Sequence, residues 1–437
     1  MTKSNSIQYK FATVQNRYVS ADFDGGDITS DGGSLLLHKL DRKLGLTTKA
    51  ASAFNDSRQK GKVNHTINAL VKQQIFALAN GYSDLNDHTT LRKDPLMQTI
   101  CSRDKDLASA STLHRFQKTA DRSTSIGLNK VLVDHFLDSH KTAPEEIILD
   151  FDATDDPVHG NQEKAFFHGY YGHYCFLPLY VFCGSFLLTA YLRPSNIDGA
   201  KHAGAILKIL VGYIRKQWPE CRIIFRGDGG FARRYIMHWC EKNNVDFIIG
   251  YTKNKVVLSR TQEMQDRVKE AFAKSGEKQR EFVDFMYRAG TWKRERRIIS
   301  KAEYNKLGEN NRFIVTTLSG DPKMLYDKRY CARGDMENRI KEQQLDLFAD
   351  RTSASEWWMN QLRMLLSGLA YTLLETLRRT ALAETEASAF QCGTIRLKLL
   401  KIGAVVVRNT RTVKVHLSSA YPHQKLFASI YHALEAA

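Results

Sequence analysis

Apolar positions along this chain follow two different periods. Between residues 31 and 140 they recur at intervals of three and four: Leu35, Leu36, Leu37 and Leu40, then Ile67, Leu70, Val71, Ile75, Leu78 and Ala79, then Leu113 to Phe116. Such stripes predict amphipathic helices, the first with Ser30-Asp31 as its N-cap. Ahead of them, residues 1–30 alternate through Ile7 to Phe11 and Tyr18 to Phe23 and stop at Asp24-Gly25-Gly26-Asp27, which predicts two short strands or an extended arm. From Glu146 the period shortens. Ile147 to Phe151 reads as a buried strand, and Tyr174 to Phe182 with Phe186 to Leu192 as a hairpin turning at Cys183-Gly184-Ser185. Arg222 to Phe225 and Val245 to Gly250 are two more strands, with helices over Ala203 to Ile214 and Phe231 to Asn243. That succession predicts a mixed sheet with helices packed on it.

Residues 255–325 break the rhythm: a charged helical stretch precedes strands at Glu281 to Tyr287, Arg294 to Ser300 and Arg312 to Thr317. A long helix follows, its core stripe formed by Trp358, Leu362, Leu365, Leu369, Leu373 and Leu377, and the tail returns to strands at Ala404 to Arg408 and Val413 to Leu417. The predicted class is α/β. Its parts are an N-terminal arm (1–30), a mostly helical domain (31–140), the first part of the sheet-and-helix core (141–254), a β-rich insertion (255–325), a helical second part of the core (326–390) and a basic tail (391–437).

Composition changes this picture at one point. The hydrophobic share of 43% and charged share of 25% are ordinary, but a formal charge of +17 and a pI of about 9.4 are not. Such an excess favours a polyanionic partner, nucleic acid first. The apolar runs are too short to cross a bilayer, so no membrane is expected, and the Met1 to Lys10 stretch has no export signal. Seven cysteines without a C-x-x-C argue against a zinc site or disulfide frame and for a reducing, cytoplasmic setting.

Two of the strands end in acids. Ile147-Ile148-Leu149-Asp150-Phe151-Asp152-Ala153-Thr154 runs into carboxylates, and Phe225-Arg226-Gly227-Asp228-Gly229-Gly230 does the same. Open α/β sheets place their chemistry at such strand ends. A third acid, Glu337, lies on a later helix in the row Tyr330, Arg333, Glu337, Lys341, spaced by three, four and four so that all share one face. Three converging carboxylates repel unless cations neutralise them, and hard divalent ions with oxygen ligands do so. Two such ions support in-line phosphodiester displacement. Arg333 and Lys341, with Arg339 between them and Arg294 beside Trp292, are cations suited to phosphates. Trp292, in Gly290-Thr291-Trp292-Lys293-Arg294, is placed either to stack on a displaced base or to pack on its own sheet.

The motifs around Asp152 and Asp228, with Tyr330-x-x-Arg333-x-x-x-Glu337, resemble the three acidic motifs of DDE transposases of bacterial insertion sequences, in particular the insertion-sequence thirteen-eighty group. Thr29-Ser30-Asp31-Gly32-Gly33, Asp84-Leu85-Asn86-Asp87-His88 and Thr394-Ile395-Arg396-Leu397 extend the resemblance over most of the chain. It implies an RNase H-like core in which Asp152, Asp228 and Glu337 bind two Mg²⁺ ions, with Mn²⁺ able to substitute. It also implies that the helical domain helps bind double-stranded element ends and that a homodimer forms on DNA, at the nucleoid of a bacterial cell. The usual Lys seven residues after the Glu falls on Gln344, leaving Lys341 as its candidate replacement. Asp150 and Asp155 remain alternatives to, or companions of, Asp152. Two other readings stay open. Asp150-x-Asp152-x-Thr154 also looks like the first motif of haloacid-dehalogenase-type phosphatases, with Asp150 as nucleophile and Asp152 as general acid. The chain could also be a DNA-binding regulator, a domesticated relative without catalysis.

Overall fold

The computed structural model describes residues 8–436, so Ile7, at the start of the first alternating run, lies outside the described residues. The chain divides into two units: residues to Thr124 with Leu369 onward, and Ser125–Gly368.

In the first unit, β1 (Tyr9–Val14) and β2 (Arg17–Ala21) form an exposed antiparallel hairpin, and β3 (Ile28–Thr29) follows. Helices at Ser34–Leu44, Ile67–Ala79 and Ala110–Gln117 occupy the predicted stripes and bury Leu36, Leu37, Leu40, Leu70, Val71, Ile75 and Leu113. The first helix is not capped by Ser30-Asp31; its N-cap is Gly33. Asp31 is instead fully buried, accepting from Tyr82 Oη at 2.8 Å and pairing with Lys401 Nζ at 2.7 Å.

The second unit carries the large sheet. Its strands are β4 (Glu146–Ala153), β8 (Leu179–Cys183), β9 (Phe186–Tyr191), β10 (Arg222–Gly227), β11 (Asp246–Tyr251), β12 (Gln279–Tyr287), β13 (Arg296–Asn305), β14 (Gly308–Glu309) and β15 (Arg312–Thr316), in the order β12-β13-β15-β11-β10-β4-β8-β9 with β14 on β13. The β4–β10 and β10–β11 pairs are parallel, and the rest antiparallel. The strands between residues 279 and 316 do not form a sheet of their own, because β15 pairs directly with β11 and continues the central sheet. A separate small sheet joins β5 (Asp156–Pro157), β6 (Phe166–His168) and β7 (His173–Phe176). The run Tyr174 to Phe182, expected to be one strand, is thus two, broken at Leu177-Pro178; proline has no N–H to give to a ladder.

Side-chain alternation sorts the two faces of the large sheet. Ile147, Leu149, Phe151, Ile223, Phe225, Phe247 and Ile249 share one apolar cluster with Leu207, Leu210 and Ile214 of helix Ala203–Gln217 and with Ile236 and Met237 of helix Arg234–Lys242. Ile224, Ile248, Ile299 and Ile314 face the other way, toward Leu325 and Tyr326. Asp150 and Asp152 belong to that second face. Helix Trp357–Ala381 buries the expected leucine stripe, with Trp357 buried and Trp358 half-buried.

Back in the first unit, β16 (Ala404–Arg408) and β17 (Val413–Leu417) fall where the tail strands were expected, and β16 also pairs with β3. A closing helix, Gln424–Ala436, was not anticipated. Gly33 lies so tightly against this segment that a Cβ there would stand 1.7 Å from the Leu399 carbonyl oxygen. Close backbone approach therefore accounts for the glycine pair of the Thr29 to Gly33 stretch, and joins it to the Thr394 to Leu397 region.

Candidate functional site

The register of β4 against β10 builds the site. Asp150 stands opposite Arg226 and Phe151 opposite Gly227, so the next residues on the face that Asp150 and Arg226 share are Asp152 and Asp228. Asp228 leaves the strand in an extended conformation and its Oδ1 accepts from the Gly230 N–H at 2.9 Å, which holds the turn that follows. Asp152 Oδ1 accepts from the Ala153 N–H at 3.0 Å. Burial pushes the Asp152 carboxyl up to about 7; Arg333 opposes this shift, while the charges of Asp228 and Glu337 add to it. Asp152 therefore lies within electrostatic reach of both other acids.

The third acid rides on helical turns of changing width. The backbone opens to π-type turns over Leu325–Tyr330, tightens at Cys331–Arg333, runs as α-helix over Gly334–Lys341 and widens again over Glu342–Asp346. Turns of this kind occur often at functional sites. Arg333 reaches two of the acids: Nη2 lies 2.5 Å from Glu337 Oε1 and Nη1 3.4 Å from Asp152 Oδ2. Tyr330 faces the same place, its phenol raised by burial and by Asp228 against the pull of Arg333.

Among the described residues, no three His, Cys, Asp or Glu side chains are gathered closely enough to hold a metal ion as they stand, and Arg333 bridges two of the acids. The donor chemistry nonetheless fits a hard divalent cation: three carboxylates, no sulfur, and a guanidinium already attracted to the same charge.

Gly250, at the end of β11, closes the site from one side. A Cβ there would lie 2.6 Å from Tyr330 Oη and 2.7 Å from the Gly229 nitrogen. Tyr330 can swing, but the Asp228-Gly229 backbone cannot. Gly250→Ala is expected to cost about 1–3 kcal/mol of stability and to displace the Asp228 turn. Urea denaturation measures the first effect and a DNA-cleavage assay the second; wild-type values in both would show that the turn has slack.

The other candidates fall elsewhere. Asp150 is 2% exposed and is gripped by Arg226 through Nε to Oδ1 and through Nη2 to Oδ2 at 2.7 Å. Asp155 is paired with His173 Nε2 at 2.7 Å. Arg339 is bound to the buried Glu342 at 2.5 Å, and Lys341 is exposed. Trp292 is 6% exposed, packed between Tyr251 and Tyr287 with the Arg296 guanidinium over its ring at 4.7 Å, so it presents no open face for a base. Arg294 is exposed and lies 3.6 Å from Glu241.

Gln344, the departure from the expected lysine, has its own task. Its Nε2 donates to the Asp155 carbonyl oxygen at 3.1 Å and to Asp156 Oδ1 at 3.0 Å, tying the Glu337 helix to the segment just beyond Asp152. Asp156 is fully buried, its Oδ2 has no hydrogen-bond partner among the described residues, and burial pushes its carboxyl up to about 8. An acid that holds its proton longer when folded loses stability as pH rises from its ordinary carboxylate range to that raised value, at about 1.4 kcal/mol per pH unit at most. Asp156→Asn keeps the acceptor for Gln344 and removes the titration. Its unfolding midpoint should exceed that of the wild type by a margin that grows between about pH 5 and about pH 7. A constant margin would mean that Asp156 is charged in the folded protein.

No curated protein matches this chain significantly. Among solved structures, the piggyBac transposase synaptic complex with hairpin DNA, determined by cryo-EM, is similar at 10% identity over 85% of this chain and 80% of that one, with a TM-score of 0.43. The family model described as transposase DDE domain group 1 matches residues 11–437. With a family match that runs over nearly its whole length, this chain belongs to the DDE transposase domain family, group 1.

Proposed function

We propose that the protein is a DNA transposase of the insertion-sequence thirteen-eighty type, acting through Asp152, Asp228 and Glu337. The observation that carries the reading is the β4–β10 register, which sets Asp152 beside Asp228, together with Arg333, which joins Asp152 to Glu337. The order β9-β8-β4-β10-β11, with antiparallel pairing among the first three and parallel pairing among the last three, supports an RNase H-like core.

In this reading the three carboxylates would hold two Mg²⁺ ions, or Mn²⁺, which when bound activate a water and stabilise the leaving oxygen. The chain's own residues do the rest. Tyr330 and Arg333 face the cleft and orient the scissile phosphate, while the exposed Lys341, one turn beyond Glu337, meets a neighbouring phosphate. Water attacks phosphorus and the bond to the 3′ oxygen breaks, leaving a 3′-OH and a 5′-phosphate. That 3′-OH then attacks a phosphodiester of target DNA and displaces its 3′ oxygen. The charge of +17 suits a double-stranded DNA partner, the helical residues 31–140 supply recognition of the element ends, and a homodimer holds two ends together. Among the described residues, no helix is long and apolar enough to cross a membrane.

The phosphatase reading requires Asp150 as an open nucleophile, and its bidentate pairing with Arg226 opposes that. Metal-dependent cleavage of DNA carrying the inverted repeats that flank the gene tests the proposal. Binding without cleavage by the intact chain would favour a domesticated regulator instead.

A further inference from the structure

Every residue of β1 and β2 is exposed, and a two-stranded hairpin without a packed face is only marginally stable in water. Its side chains are nevertheless sorted by face. Tyr9 stands opposite Ala21 and Phe11 opposite Val19, and the Phe23 ring meets that of Tyr9 edge-on at 6.0 Å, so one face is wholly apolar. On that face Phe11 is 60% exposed and Phe23 91%. Large apolar groups left open together mark an interaction surface.

A second apolar face lies open in the same unit. In the sheet of β3, β16 and β17, Ala404 and Val406 are buried, while the alternate residues Val405 and Val407 are 40% and 50% exposed. Ile28, opposite Val405 on β3, is 56% exposed. On β17 the residues opposite Val405 and Val407 are His416 and Lys414, both exposed, so basic groups border this apolar strip. Acids border the hairpin's strip. Asp22 and Asp24 flank Phe23, close enough that Asp24 raises the Asp22 carboxyl above its ordinary range, first through a hydrogen bond.

Because both faces are open in one chain, the hairpin does not cover its own sheet. Residues 22–27 join the two, and Gly26 turns the chain at a φ of +78°, where only glycine escapes a steric cost. One hairpin on one sheet is a small contact, but a twofold pair of chains makes it twice. Nucleic acid fits this place poorly, since the hairpin's apolar face carries no cation and its flanks are acidic.

We propose that the β1–β2 hairpin is an exchanged arm: its Tyr9, Phe11, Val19 and Phe23 face seats on the Ile28, Val405 and Val407 face of a second copy of this chain, whose own arm returns the contact. The exchange also brings acidic and basic borders together. It supplies surfaces for the proposed homodimer and is measured without DNA, so its failure leaves the cleavage reading standing.

The test is sedimentation equilibrium of the full chain over about 1–50 μM, where the wild type is expected to dimerise. Phe11→Ser/Val19→Ser, in the arm, and Val405→Ser/Val407→Ser, in the sheet, should each weaken dimerisation by about tenfold or more. An equal mixture of the two variants, labelled for fluorescence transfer, joins the intact arm of one to the intact sheet of the other. The mixed dimer should therefore form about tenfold more tightly than either variant alone, which an unfolded variant could not do. A mixture no tighter than its components would overturn the exchange. So would a wild type that stays monomeric, or variants that dimerise like the wild type. Loss of duplex DNA binding by both variants at unchanged mass would also overturn it, assigning the two faces to DNA.

Discussion

Asp228→Asn is expected to reduce metal-dependent DNA cleavage by about a thousandfold or more, the rate equivalent of several kcal/mol of lost charge stabilisation. Asparagine retains the oxygen that accepts from the Gly230 N–H, so the turn after β10 should survive and the loss should report charge alone. Asp152→Asn should have a similar effect for the same reason. Glu337→Gln adds a second effect, because it also frees Arg333 from its 2.5 Å contact. All three proteins should bind DNA at least as tightly as the wild type, since each removes a negative charge facing the phosphates. Cleavage of labelled duplex, with binding followed in parallel, checks both halves. A variant that cuts at the wild-type rate would remove its residue from the set. Activity that survives Glu337→Gln but is lost in Asp150→Asn would move the chemistry to the phosphatase reading.

The largest stability effect is expected at Arg226. This side chain is 6% exposed, clasps Asp150 with two nitrogens and gives the third to the Arg329 carbonyl oxygen. Arg226→Met strands a carboxylate that is 2% exposed, and breaking a buried pair from one side costs about 3–5 kcal/mol. Replacing both partners, as Asp150→Leu/Arg226→Met, should recover most of that loss, because two apolar groups of similar size need no counter-charge. Urea unfolding of the single and double variants measures the difference; a double variant no more stable than the single one would refute the argument. Arg226 also ties the sheet to the residue before Tyr330. Cleavage by the single variant should therefore fall even under conditions where it is folded, since Glu337 loses one of its tethers to Asp152.

Much of the candidate site is visible in the sequence because its signals are local. Apolar runs rich in β-branched residues that end in Asp152 and Asp228 show both strands and where they stop, and the spacing of Tyr330, Arg333 and Glu337 survives the change of helical width. What the sequence hides are choices between distant partners. Alternation places Asp150 on the same face as Asp152, but nothing nearby says that Arg226, one strand over, will neutralise it. Lys293 and Arg294 beside Trp292 leave a stacking ring and a packed ring equally open, and the turn at Gly290-Thr291 decides by folding that ring inward against Tyr251 and Tyr287. The strands at 279–316 read as a separate block because their pairing with β11 skips the intervening helices Lys255–Ser259 and Gln262–Ser275.

The wide turns at Leu325–Tyr330 and Glu342–Asp346 have a consequence for how this protein tolerates change in length. Each residue of an α-helix advances the chain by about 100° around its axis, and a π-type turn accommodates one residue more than the regular winding would. Deleting a single position within Leu325–Tyr330 would let that turn relax to ordinary winding and leave the facing of Glu337 unchanged, whereas deleting one between Gly334 and Met336 would turn Glu337 by about 100° although no acid had been touched. The wide turn absorbs a change of length that the regular helix after it does not.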